Sequence, residues 1–107
     1  AANCSRETAS ALLDSLGLGG NEKKYPHELS GGMQRRVSLA RTLAREAQLY
    51  LFDEPLAGLD PESQKTACNV IKSSIPTTSA AIIVSHETAE PQKIAKQIIR
   101  LDKGKIV

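Results

Sequence analysis

Leu49-Tyr50-Leu51-Phe52-Asp53-Glu54 is the stretch that decides the fold of this chain. Its apolar residues run continuously rather than alternating, the pattern of a buried strand in a parallel sheet. The two carboxylates stand at the C-terminal end of that strand, where open α/β sheets place their ligands, and strand alternation aims them in different directions. Downstream, Asp60 and Pro61 fit an N-cap and first turn of a helix running to about Ser73. Ala80 to Ser85 reads as a second buried strand. Strand, helix and strand in that order give an α/β class with parallel strands and crossover helices. A short helix is expected around 88–96, with Pro91 restricting its start. A strand pair, Gln97–Leu101 and Lys105–Val107, then follows, joined by Asp102-Lys103-Gly104.

Upstream of residue 49 the pattern changes from strand to helix. Ala9, Leu12, Leu13 and Leu16 recur at helical spacing over Arg6 to Leu18, and Gly17, Gly19 and Gly20 stop that helix. A polar loop from Asn21 to Lys24 leads to Tyr25-Pro26, where proline disfavours helix for its predecessor. Then comes Leu29-Ser30-Gly31-Gly32-Met33-Gln34. Glycines without Cβ allow a close backbone approach to an anion, and a helix starting just after them presents free N–H groups. From Met33 to Ala47 the residues Met33, Val37, Ala40 and Ala44 form an apolar stripe that Leu39 and Leu43 widen. Arg35, Arg36, Arg41 and Arg45 read as the solvated face of that helix. The boundary between the helical part, 1–46, and the α/β part, 47–107, falls near 46–48.

Composition narrows the function classes. The chain has 107 residues, 40% of them hydrophobic and 24% charged, as in an ordinary globular protein of modest core. A net charge of +2 is too small for a nucleic-acid or membrane-surface binder. Aromatic residues make up 3% of the chain, too few to build stacking platforms for bases. The apolar runs around 49–52 and 80–84 are far too short to span a bilayer. No leader sequence is visible at the start. Cys4 and Cys68 lack metal-site spacing and read as reduced thiols.

With these residues in place, the chain resembles the ATP-binding cassette (ABC) ATPases. Their signature motif matches residues 29–34, their Walker B motif residues 49–54, their D-loop Ala57-Gly58-Leu59-Asp60, and their switch histidine His86. The resemblance implies a partial P-loop NTPase (RecA-like) core, preceded by the end of an α-helical subdomain. It implies ATP and Mg²⁺ as ligands. Asp53 would hold the metal, and Glu54 would polarise the water that attacks the γ-phosphate. His86 would contact the γ-phosphate. Ser30, Gly31, Gly32 and Gln34 would grip ATP bound to a second ATPase subunit, and Asp60 would sit at the interface of that dimer. The flanks of His86 are Ser85 and Glu87 where many family members have Thr and Asp, conservative changes. His27 reads as a loop residue without such a role.

No Gly-x-x-x-x-Gly-Lys-Ser/Thr phosphate loop occurs in these 107 residues. The chain therefore reads as the C-terminal part of a cassette, inactive alone and completed by an N-terminal half. The stretch Tyr25 to Gln34 looks most like bacterial importer ATPases, which implies permease subunits as partners, no nucleic acid, and a cytoplasmic place on the membrane's inner face. Two rivals stand beside this reading. One is a non-transport ABC ATPase, such as a coiled-coil DNA-repair ATPase or a soluble translation factor. The other is a non-catalytic fragment that pairs with a complete cassette.

Overall fold

The computed structural model describes residues 5–21 and 23–107, so Cys4 lies outside the described residues. Helix α1 (Arg6–Ser15) starts at Ser5, whose hydroxyl accepts the amide of Thr8 at 3.1 Å. It ends short of Leu18. Gly17 takes φ +76°, and the amides of Gly17 and Leu18 donate back to the carbonyls of Asp14 and Leu13 at 3.0 and 2.7 Å. That paired closure needs a left-handed residue, which glycine supplies, and it turns Leu16 and Leu18 inward.

Helix α2 (Gly31–Leu43) begins on the glycines themselves rather than after them. Ser30 is the reason: in extended conformation, its hydroxyl accepts the amide of Met33 at 3.1 Å and starts the helix one residue later. The helix also stops before the expected Ala47. The chain must turn to enter strand β1 (Leu49–Asp53), and the Tyr50 hydroxyl holds that turn by donating to the Arg45 carbonyl at 2.6 Å. Helix α3 (Pro61–Ser74) follows with Asp60 as its cap and Pro61 in its first turn, as expected. It crosses to strand β2 (Ala80–Val84), which pairs with β1 in parallel, Leu51 against Ile82 and Asp53 against Val84.

The C-terminal segment is less regular than its sequence pattern. Helix α4 is only Pro91–Ile94, since proline at its start has no amide to extend it backwards and Ala95 is already extended. Strands β3 (Leu101–Asp102) and β4 (Lys105–Ile106) form a short antiparallel pair. Lys103 and Gly104, at φ +51° and +79°, make the left-handed two-residue turn that suits a hairpin's twist.

One core joins the two sequence parts. Leu39, Ala40 and Leu43 of α2 meet Tyr50 and Phe52 of β1, Leu56, and Ala67, Cys68, Val70 and Ile71 of α3. Burial pushes the Cys68 thiol pKa up. The expectation of strands buried on both faces does not hold. Strand β1 alternates, with Tyr50 and Phe52 inward, while Leu49, Leu51, Ile82 and Val84 are 50%, 64%, 53% and 56% exposed. A sheet of two strands with helices on one side leaves its other apolar face bare. Among the described residues, no helix is long and apolar enough to cross a membrane.

Candidate functional site

Parallel pairing brings the C-terminal ends of β1 and β2 side by side, and the candidate site is built on those ends. Strand β1 delivers Asp53 and then Glu54, whose amide donates to the Val84 carbonyl of β2 at 2.8 Å. Glu54 adopts φ +52°, a left-handed conformation uncommon for a residue with a side chain. The chain leaves β2 through Ser85 to His86. There the imidazole Nδ1 pairs with Glu54 Oε1, and the His86 amide donates to Glu54 Oε2 at 3.4 Å. Two residues far apart in sequence thus share one carboxylate at a solvent-open end of the sheet. His86 holds the Glu54 carboxyl below the usual range, mainly through this hydrogen bond, and Glu54 raises the His86 imidazole in return.

Asp53 points to the exposed face, and its carboxylate makes no hydrogen bond or ion pair among the described residues. No group of three or more metal-binding side chains surrounds it there. An exposed carboxylate with its oxygens free is compatible with Mg²⁺, an ion that keeps several waters and takes its remaining oxygens from phosphates.

The glycine-rich stretch forms the N-terminal turn of α2. Ser30 is engaged as the helix cap, and Gln34 turns its amide back to the Leu29 carbonyl at 3.3 Å. A Cβ added at Gly31 would meet nothing within 4 Å, and one at Gly32 would only touch Leu59 Cδ2 at 3.8 Å. Neither glycine has a positive φ. Packing among the described residues therefore does not require either glycine. The Leu59 contact also sets the α2 N-terminus beside the Ala57–Asp60 loop. Asp60 caps α3, accepting from the Ser63 amide at 3.2 Å and the Ser63 hydroxyl at 2.6 Å, and these bonds lower its pKa. His27 lies in a short 3-10 turn, Pro26–Glu28, and stacks on Tyr25.

The reading of the α2 arginines as a solvated face holds for Arg35, which is exposed, and needs correction at Arg36, which is half-buried; both make bonds that it did not include. Arg35 Nη1 donates to the Glu54 carbonyl at 2.9 Å. Arg36 donates from Nη1 to the Leu16 carbonyl at 3.0 Å and from Nε to the Gly32 carbonyl at 3.3 Å. The Glu54 and Leu16 carbonyls are brought there by tertiary folding, and helical periodicity carries no signal for them, whereas the Gly32 carbonyl lies one turn back in the same helix.

Comparison with known proteins agrees with this layout. The family model described as ABC transporter matches residues 2–57. The arginine transport ATP-binding protein ArtM of Bacillus subtilis is 39% identical over 95% of this chain and 42% of its own length. The L-cystine transport system ATP-binding protein TcyN of Escherichia coli is 41% identical over 92% of this chain and 40% of its own length. The chain thus spans about two-fifths of the length of these curated relatives. A solved structure of an archaeal ribosome recycling factor with a ribosomal stalk protein superposes with a TM-score of 0.77 at 31% identity, covering 94% of this chain and 20% of that one. With its ordered motifs, its P-loop NTPase-type α/β architecture and these matches, the chain belongs to the ABC transporter family.

Proposed function

We propose that this chain is the C-terminal part of an ATP-hydrolysing subunit of a bacterial amino-acid importer. Residues 1–46 are the end of its helical subdomain, and 47–107 are the second half of its ATPase core. The observation that carries the reading is the shared placement of Glu54 and His86 on adjoining strand ends, with Asp53 one residue away. Glu54 aligns the attacking water and accepts its proton. His86 donates to the γ-phosphate as charge redistributes during transfer. Asp53 would hold Mg²⁺, which supplies positive charge against the phosphate oxygens when bound. Ser30, Gly31, Gly32 and Gln34 face ATP carried by a second ATPase subunit, and Asp60 lies at that dimer interface. The absence of any internal need for Gly31 and Gly32 supports an external partner for that turn.

The open sheet face supports a missing remainder of the cassette. Parallel strands are normally covered on both faces, and here Leu49, Leu51, Ile82 and Val84 lie bare. An N-terminal half carrying the phosphate loop covers this face and grips ATP; the 107 residues alone are inert. Permease subunits hold the completed cassette on the cytoplasmic side of the membrane. ArtM and TcyN, at 39% and 41% identity, are transport subunits by their names, which supports the importer reading.

The test is complementation. The chain is mixed with a separately produced N-terminal half, and ATP hydrolysis is measured with each alone and together. Activity only in the mixture supports the proposal. A stable complex that never hydrolyses ATP refutes it and favours the interaction-fragment reading.

A further inference from the structure

Glu54 is anchored at three points, each from a different element. Its amide is bound by β2 through Val84, its carboxylate by the loop after β2 through His86, and its carbonyl by α2 through Arg35. The third anchor is separate from the catalytic groups themselves. Arg35 Nη1 lies 2.9 Å from the Glu54 carbonyl oxygen, and the local turn offers that oxygen only the longer contact from the Ala57 amide at 3.4 Å. The peptide it holds belongs to a residue at φ +52°. A side-chain-bearing residue keeps such a backbone only where surrounding contacts fix it. That backbone angle directs the Cα–Cβ bond, and so decides whether the carboxylate reaches His86.

Arg35 also lies on the helix that carries the glycine turn. With Ser30 as cap, the guanidinium's backbone position is about 7.5 Å along the axis from it, at 1.5 Å per residue. A shift or tilt of α2 therefore moves the donor that holds the Glu54 carbonyl. We propose that Arg35 is a positioning residue, which ties the orientation of the Glu54 carboxylate to the seating of α2. The glycine turn meets nucleotide at one end of α2, and Arg35 passes that engagement to the base one and a half turns further on. This inference rests on the ATPase reading above.

The test uses the completed cassette with Arg35→Met and Arg35→Lys, each also on a Glu54→Gln background. Met keeps the stem and helix propensity but removes the donor, while Lys keeps the charge and one flexible donor. Arg35→Met should lower kcat about tenfold with KM for ATP within about twofold, since an interaction needed for transition-state alignment is lost. Arg35→Lys should retain at least about a third of the native kcat. On the Glu54→Gln background, Arg35→Met should cost nothing further, because both changes disable the same group. Three results overturn the inference: native kcat in Arg35→Met, a proportionate rise in KM, or an undiminished loss on the Glu54→Gln background. A Lys variant as impaired as Met does the same, and it keeps the test decisive if Arg35→Met folds poorly. A native cassette that hydrolyses no ATP refutes the ATPase reading itself, a result distinct from an active cassette indifferent to residue 35.

Discussion

Replacing Leu51 and Ile82 together with threonine separates the role of the open sheet face from the stability of the chain. The two are cross-strand partners, 64% and 53% exposed, so neither contributes much to the existing core. Threonine keeps the β-branching of Ile82 and places a strand-favouring β-branched residue at 51. By itself, the double variant should unfold in urea within about 1 kcal/mol of the parent, the range of substitutions away from a core. Docking of the N-terminal half is another matter. Complete burial of such a side chain is worth ~1.5–3 kcal/mol, and somewhat more than half of that remains to be gained at each position. Losing it at both should weaken association by roughly 2 kcal/mol, about thirtyfold in Kd. Burying two hydroxyls adds to the loss. Titration calorimetry of the two halves reads the association, and urea melts of the chain alone read the stability. The reasoning fails if Kd is unchanged, because another surface then receives the remainder of the cassette. It fails equally if the double variant loses stability on the scale of a core cavity.

Other consequences concern the site. Glu54→Gln in the completed cassette should slow turnover by ~10²–10⁴-fold while ATP still binds, as read by steady-state hydrolysis and nucleotide titration; an active variant would remove Glu54 from the base role. In an NMR titration, the His86 imidazole should deprotonate above its ordinary value of 6.5 and fall back towards it in Glu54→Gln. Because His86 is raised and Glu54 is lowered from 4.5, the pair's contribution to folding is fully present between 4.5 and 6.5. It fades as pH falls through the depressed Glu54 value or rises through the elevated His86 value; a variant without the pair should lose that pH dependence. Gly31→Asp should leave the chain folded, since its Cβ meets nothing and a carboxylate suits a helix start. Size-exclusion chromatography of the completed Glu54→Gln cassette with ATP should show that Gly31→Asp abolishes the dimer, and an unchanged dimer peak would restrict the glycine turn to helix capping.

Local signals in the sequence translated well into structure. Asp60-Pro61 starts a helix because cap and first-turn geometry depend on neighbouring residues alone, and Gly104 closes the hairpin for the same kind of reason. The run 49–52 marks the strand, and the strand–helix–strand order with Ala80–Ser85 marks its parallel partner, but neither shows the bare face. A continuous apolar run marks a strand suited to cover on both faces, but whether the covering layer is present depends on what packs against the strand, which the run itself does not carry. The family resemblance directs both Glu54 and His86 towards a γ-phosphate, whereas their hydrogen bond to each other, the left-handed Glu54 and the anchors made by Arg35 and Arg36 were not legible. Each depends on groups brought together from distant parts of the chain. Helix ends were the least legible local feature. Gly17 ends α1 as its glycine signal indicates, but the Tyr50 hydroxyl holds the turn that shortens α2 through a contact that periodicity does not describe.

Cys68 gives the molecule a built-in reporter of its own breathing. The thiol is 1% exposed at the centre of the single core, and burial keeps it protonated. Only the thiolate reacts with alkylating reagents, so enclosure and suppressed ionisation both slow its labelling in the closed state. Each reaction at that sulfur therefore marks a moment when α3 has lifted from β1 and α2. The rate counts openings of the joint between the two parts of the chain. Seating a further layer on the sheet would lengthen the interval between those openings, which makes labelling at residue 68 a clock for how firmly the cassette is assembled.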